Sequence, residues 1–307
     1  MSTRRPSVSV CIPAYRSESF IGKTLESVFR QTLPDIEVVV SNDGGEHTPT
    51  LERYHDQGRI RLVVPPERLG WVRNSNFALS HAQGESMMIL PHDDMLAPTY
   101  LARCIALLKA DPATIAAYSD ITVRPDGRWQ RSRVFPVSEV RGPPEHRVAT
   151  VMRDLYNGIS YRAVLRRADF ERYDLRLPEN PPHDLWSDTL WMLRKAVHGE
   201  LRRIPEPLYY KRLHPQNTHK TWDALPVETL RNAWEHHCAQ MGEIASGAVI
   251  DPALIKALVD HRRVPARVRE APASLILAFG GTPRPPPSLA MRISRRVRTL
   301  ISRRKPT

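Results

Sequence analysis

The feature that most restricts what this chain can fold into is a rhythm. From Ser7 to about Ser119, short runs rich in β-branched residues alternate with stretches of helical period. Ser7–Ile12 (SVSVCI) and Ile36–Ser41 (IEVVVS) read as strands, and between them Glu18–Gln31 places Ile21, Leu25 and Val28 at helical spacing. Ile60–Val64 and Ser86–Leu90 continue the strand series, each followed by a helical stretch, Val72–Ala82 and Pro98–Ala110, and Ile115–Ser119 closes it. Such alternation predicts an α/β fold with a mostly parallel sheet covered by helices on both faces. In sheets of this kind ligands bind beyond the carboxyl ends of the strands. Three strand-end loops therefore matter most: Pro13–Ser17, Asn42–His47 and Pro91–Met95.

After Val123 the rhythm breaks. A proline-bearing stretch, Arg124–His146, reads as loop, Val148–Tyr156 as helix and Ile159–Leu165 as strand. Ser187–Val197 reads as a helix stopped by Gly199. Glu200–Ile204 and Leu208–Leu213 read as two strands, Pro226–Gly242 and Pro252–Arg262 as helices, and Pro283–Pro287 as a stiff linker. The expected organisation is a first domain over 1–222, a helical C-terminal extension over 223–283 and a basic tail over 284–307.

Composition narrows the function classes. With 41% hydrophobic residues over 307 positions the chain can bury a sizeable core, which excludes a disordered or collagen-like protein. No run approaches the roughly 20 apolar residues of a membrane span, and the basic segment Met1–Pro6 lacks a signal-peptide core. Cys11, Cys104 and Cys238 lie far apart, which argues against a disulfide scaffold or zinc knuckle and fits a reducing cytoplasm. The formal charge is +12, and Arg262–Thr307 alone carries twelve Lys/Arg against one acid, Glu270. Charge gathered in one appendage, not spread around a groove, argues against nucleic acid as partner. Within that segment Leu289, Ile293, Val297, Leu300 and Ile301 recur at helical spacing among arginines. This predicts a helix, Leu289–Lys305, at an anionic membrane surface, with docking on the protein itself or a free basic tail as the alternatives.

Five motifs fall in order: Pro13-Ala14-Tyr15 after the first strand; Ser41-Asn42-Asp43-Gly44-Gly45 after the second; Gly70-Trp71-Val72-Arg73-Asn74; His92-Asp93-Asp94 after an apolar strand; and Ser187-Asp188 opening a helix, followed by Pro207-Leu208-Tyr209-Tyr210-Lys211-Arg212-Leu213-His214. Over about residues 7 to 220 the chain resembles the family 2 glycosyltransferases, which have the GT-A fold and transfer sugars from nucleotide-sugars. The resemblance implies an inverting, metal-dependent transferase. Its donor would be a UDP-sugar or another pyrimidine nucleotide-sugar. Its acceptor would be a carbohydrate, a glycolipid or a small molecule in cell-envelope polysaccharide, glycolipid or secondary-metabolite synthesis. A cytoplasmic enzyme, peripheral at the inner face of the membrane, is the matching location.

The residue types fit those roles. Asp43 at a strand end can accept the imide N–H of a pyrimidine, with Pro13, Ala14 and Tyr15 covering the ring; its alternative is a turn residue. Asp93 is the expected ligand of Mn²⁺ or Mg²⁺ against a leaving diphosphate, with Asp94 supporting it or contacting the sugar. The chain departs from the family at Pro91, which stands where the family has the first Asp of its DxD motif. His214 is the second expected metal ligand, and Arg212, on the same strand face, is expected to face the diphosphate. Gly70, Arg73 and Asn74 are expected on the donor side, by contact or by bracing. Asp188 is the expected general base, kept ionised near a helix N-terminus, with Asp184 as its competitor. Ser187 replaces the Glu of the family's ED pair. Two other functions stay open. A sugar-1-phosphate nucleotidyltransferase would need a glycine-rich loop and signature lysine that Pro13–Ser17 lacks. A non-catalytic nucleotide-sugar-binding scaffold is the other.

Overall fold

The computed structural model describes residues 5–125, 132–154, 160–217, 222–248 and 251–260. The chain divides into two compact units, Met1–Val259 and Asp260–Thr307. The linker Pro283–Pro287 and the tail 284–307 lie outside the described residues.

The first unit begins β1 (Val8–Ala14), α1 (Glu18–Phe29), β2 (Ile36–Asn42), α2 (Pro49–Asp56), β3 (Arg61–Val63), α3 (Trp71–Ser80), β4 (Ser86–Ile89), β5 (Met95–Leu96) and α4 (Tyr100–Ala110). It continues β6 (Thr114–Pro125), β7 (Arg133–Phe135), α5 (Pro144–Asp154), β8 (Val164–Arg166), α6 (Arg167–Arg172), α7 (Ser187–His198), β9 (Glu200–Leu213), α8 (Val227–Ser246) and α9 (Pro252–Asp260). The sheet runs β3-β2-β1-β4-β8-β6-β9-β5, with β7 on β6. The run expected from the N-terminal rhythm, β3-β2-β1-β4, is parallel throughout. Beyond it β8 pairs antiparallel with both β4 and β6, β9 runs parallel to β6, and β5 pairs antiparallel with β9.

Both faces of the sheet are buried, which is why the strands are nearly continuous apolar runs. Val8, Val10, Ile12, Val38, Val40 and Met88 pack with Ile21, Leu25, Leu101 and Ile105 on one side. Cys11, Val39, Met87 and Ile89 alternate to the other side, against Val72, Val148, Leu190, Leu193 and Met241. Met241 and Ala245 place α8 in the same core as α7. The buried Arg147 guanidinium donates to the carbonyls of Ala196 (2.7 Å) and Val197 (3.0 Å), satisfying orphan groups at the end of α7.

Two details fix the strand ends. The turn after β2 needs consecutive left-handed residues and has glycines there, Gly44 (φ 91°) and Gly45 (φ 61°). Thr24 and Ser27 on the largely apolar inner face of α1, with Gln31 just past its end, form a polar stripe that holds residues 92–97. Thr24 Oγ1 donates to the His92 carbonyl (2.7 Å), the Leu96 N–H donates to Ser27 Oγ (3.1 Å), and Gln31 Nε2 donates to the Ala97 carbonyl (2.7 Å).

Candidate active site

The Asp93 carboxylate lies at the carboxyl end of β4 and meets the end of β9. His214 Nε2 stands 2.9 Å and Asn217 Nδ2 2.8 Å from Asp93 Oδ2, and those two nitrogens are 2.9 Å apart. The pairing expected between Asp93 and His214 is thus present in the geometry. Asn217 is an addition; its Oδ1 accepts from the His214 N–H (2.7 Å) and so orients the turn. The His214 ring stacks on Phe20 of α1, 4.0 Å between centroids. Burial works against the Asp93 charge, but the His214 hydrogen bond and the nearby His92 and Arg162 charges hold its carboxyl down at about 2. Among the described residues no group of three or more His, Cys, Asp and Glu converges. A carboxylate oxygen and an imidazole nitrogen are nonetheless a donor pair that fits a divalent cation whose remaining positions go to phosphate oxygens and water.

Asp94 is the residue expected to support Asp93 or to contact the sugar. Its carboxylate is buried behind Asp93, accepting from Arg162 Nε (3.0 Å), the Tyr209 hydroxyl (2.6 Å) and the Arg212 N–H (3.0 Å). Arg162 in turn lies between the rings of Tyr161 and Tyr209, at 4.1 and 5.3 Å. Arg212 shares a face with His214 toward α1, as strand alternation requires. Its guanidinium donates to the Asp93 and Phe20 carbonyls and to Thr24 Oγ1, which braces the loop.

Asp43 is buried, and its two oxygens accept the Leu69 N–H (2.7 Å) and the Gly70 N–H (2.9 Å). It ties the end of β2 to the start of α3, where Gly70 takes φ 78°. Tyr15 is half-buried at the end of β1, with Arg68 4.2 Å over its ring. Pro13 and Ala14 contribute backbone carbonyls, to the His92 ring (3.3 Å) and the Asp43 N–H (2.8 Å). Arg73 pairs with Glu67 on the surface (3.0 Å). Asn74 is buried, its amide donating to the Ser41 carbonyl (3.3 Å) while Ser41 Oγ donates to Asn74 Oδ1 (2.5 Å); it is a brace between strand ends.

Asp188 sits in the first turn of α7, where its Oδ1 accepts the Thr189 N–H (3.0 Å). Burial pushes its carboxyl up, and the Arg162 and Lys211 charges pull against that rise. The helix dipole is therefore not the controlling influence, as the sequence had suggested; desolvation is. Asp184 points elsewhere: its Oδ1 accepts the Asn180 N–H (2.9 Å), closing the loop before α7. In that loop His183 (φ 66°), Asp184 (φ 54°) and Trp186 (φ 60°) are all left-handed, a conformation costing about 1–2 kcal/mol per non-glycine residue. Buried Asn180 holds it by donating to the carbonyls of Leu185 (2.5 Å) and Ala233 (3.1 Å).

Asp93 and His214 thus meet at the ends of β4 and β9, and the Arg162 charge acts both on Asp93 and on Asp188 at the start of α7. Arg162 and Asn217 carry no sequence signal of their own beyond the turn that His214–Asn217 makes. Chemically the site offers a carboxylate–imidazole pair that fits a divalent cation and, in the first turn of α7, a desolvated carboxylate.

The family model for glycosyl transferase family 2 matches residues 9–174. EpsH of Bacillus subtilis (strain 168) is 23% identical over 212 residues, which are 68% of this chain and 61% of EpsH, so the match leaves more than a third of that relative uncovered. Among solved structures, S. aureus TarS residues 1–349 in complex with UDP superposes with a TM-score of 0.60 at 18% identity, covering 82% of this chain and 69% of TarS. The mannosyltransferase PcManGT from Pyrobaculum calidifontis, in complex with GDP-Man and Mn²⁺, gives 0.56 at 20% identity, covering 97% of this chain and 81% of that one.

Proposed function

Because the chain belongs to glycosyl transferase family 2, we propose that it is an inverting glycosyltransferase moving a sugar from a nucleotide-sugar to an acceptor hydroxyl. The acceptor would be a carbohydrate, glycolipid or small molecule. The observation that supports this reading is the Asp93–His214 pair, with the Arg162 charge acting on both Asp93 and Asp188. The mixed α/β sheet with its helices is shared with solved glycosyltransferases, one bound to UDP and one to GDP-Man and Mn²⁺. Those ligands support a nucleotide-sugar donor here and call for both bases to be tried.

In this mechanism Asp188 accepts the acceptor's hydroxyl proton while the oxygen attacks the anomeric carbon, opposite the departing diphosphate. Its raised pKa makes it a better base than an exposed aspartate. Asp93 and His214 would hold Mn²⁺ or Mg²⁺, which when bound stabilises negative charge on the diphosphate. Asp94, Arg162, Arg212 and Asn217 keep Asp93 and His214 in place. Tyr15 and the Asp43 loop bound the side where the nucleoside would lie. The test is product formation from labelled UDP- and GDP-sugars, read for anomeric configuration, with Asp188→Asn as control. A product that retains the donor's configuration overturns the single displacement. Binding of nucleotide-sugar without turnover on any acceptor favours the scaffold alternative.

A further inference from the structure

The residues just ahead of Asp188 lie beyond the stretch 9–174 that the family model matches, and so does the helix that holds them, α8. Their backbone is one that side chains disfavour: His183, Asp184 and Trp186 are left-handed, and none is a glycine. Such a conformation persists only where the surroundings over-determine it, and cases of it gather at functional sites. Here the surroundings converge on one side chain. Asn180 is fully buried (0% exposed), and both ends of its amide are engaged. Nδ2 donates to the Leu185 carbonyl within the loop (2.5 Å) and to the Ala233 carbonyl of α8 (3.1 Å). Oδ1 faces His236 Nδ1 (3.0 Å) and Gln240 Nε2 (3.4 Å), one turn apart on α8. The Asn180 N–H goes to Asp184 Oδ1 (2.9 Å), and Gln240 also donates to the Glu179 carbonyl (2.8 Å). From the loop the contacts continue to Asp188. Trp186 meets Trp234 of α8 edge-on, 5.3 Å between centroids, and its carbonyl accepts from the Thr189 N–H (3.0 Å) and Thr189 Oγ1 (2.7 Å). The same Thr189 N–H reaches Asp188 Oδ1 (3.0 Å). Loop and carboxylate share one donor, so a shift of the loop backbone changes where Asp188 points.

We propose that Asn180 is the positioning residue of the general base: through it α8 holds the loop in the left-handed shape that sets the Asp188 carboxylate. This rests on the transfer reaction proposed above, with Asp188 as base, and adds to it a requirement for a helix outside the matched stretch. Asn180 acts through Leu185 and Trp186, not on the substrate. An asparagine suits the place because its amide supplies two donors and an acceptor with no charge to desolvate.

The experiment follows release of nucleoside diphosphate from labelled UDP- and GDP-sugars, with water and methyl glycopyranosides as acceptors. It compares the full chain, Asn180→Ala and the double variant Asn180→Ala/His183→Gly, each well below its melting temperature. Asn180→Ala should lose at least about tenfold in kcat with the donor KM within about twofold, as misplacement of a reacting group does. Its acid limb of kcat/KM should move down toward the ordinary aspartate value, because a loosened loop lets water reach Asp188. The His183 side chain is exposed, and glycine takes φ 66° without strain. The double variant should therefore recover at least about threefold in kcat. Gln240→Ala, which cuts only ties from α8, carries the test if Asn180→Ala does not fold; a smaller fall in kcat at constant donor KM is expected. An unchanged kcat beside a lowered melting temperature overturns the assignment, as does a fall in kcat matched by an equal rise in donor KM. Asp188→Asn as active as the wild type removes the base and the assignment with it, while transfer stands. A wild type that releases no nucleoside diphosphate from either donor refutes the transfer reading itself, a distinct result.

Discussion

Replacing Arg162 with methionine probes the ion pair on which the centre of the cleft depends. Arg162 Nε and Asp94 Oδ2 are 3.0 Å apart with side-chain exposures of 6% and 1%, so neither partner can turn to water. Met fills much of the volume between Tyr161 and Tyr209 but leaves Asp94 with only the Tyr209 hydroxyl and the Arg212 N–H. Removing one member of a buried pair costs about 3–5 kcal/mol, because the other charge stays uncompensated. That is a large share of the roughly 5–15 kcal/mol that holds a protein folded. Urea unfolding should therefore show a lower midpoint with an unchanged slope. The decisive measurement is the cycle with Asp94→Asn. If the two groups pair as described, the double variant is less destabilised than the sum of the singles by about 2 kcal/mol or more. A loss below about 1 kcal/mol in Arg162→Met, or strict additivity in the cycle, refutes the reasoning.

Asp188→Asn is expected to keep donor binding and lose about 100-fold or more in turnover, whereas Asp184→Asn should act mainly on stability; the reverse pattern would exchange their roles. Because burial raises the Asp188 carboxyl, kcat/KM should fall on the acid side at a pH above the ordinary aspartate value of about 3.9, and a limb at or below that value would contradict the described burial. Asp120 is held down: burial opposes its charge, but the two-pronged Arg203 contact (2.7 and 2.7 Å) and the Val137 N–H prevail. Its folded pKa lies below the unfolded one, so its stabilisation is present above about pH 4 and lost as pH falls through the folded value. Asp120→Asn should flatten that part of the acid stability curve, and an unchanged slope would count against the pairing. Lys195→Met removes a buried ammonium that lies over the Trp191 ring and has no hydrogen-bond partner among the described residues; a gain of about 1–2 kcal/mol in urea is expected, and a loss would show that the ring contact outweighs desolvation.

Much of the first half was legible because burial on both faces writes itself into a sequence. β1, α1, β2 and α4 fall within a residue or two of the apolar runs that announce them. α2 is not announced, since only Leu51 and Tyr54 are buried and two positions mark no period. Glu200–Leu213 is one strand where two were expected, and the prolines explain the reading. Pro205 and Pro207 fall where the register against β6 shifts, between the Ser119–Ile204 and Ile121–Tyr209 pairs, and a bulge is where a strand tolerates residues without an N–H. In the candidate site, motif order singled out Asp93 and His214, which the fold brings together, and Asp188 at the start of α7, but not what the braces do. Asn74, Asp94 and Arg212 look like ligands in sequence because they are polar residues at strand ends. Their inward orientation depends on partners 33 to 192 positions away.

The continuity of β9 divides the site into regions of different stiffness. At Tyr209 and Tyr210 this strand is hydrogen-bonded on both edges, to β6 and β5, so amides there are expected to exchange with solvent only when the domain opens as a whole. Residues 181–186, joined to no strand and strained at three positions, are expected to exchange by local opening. A ligand that settles against both regions would leave the deuterium uptake of the strand unchanged and slow that of the loop, so the position of protection along the chain would report which side of the cleft is occupied.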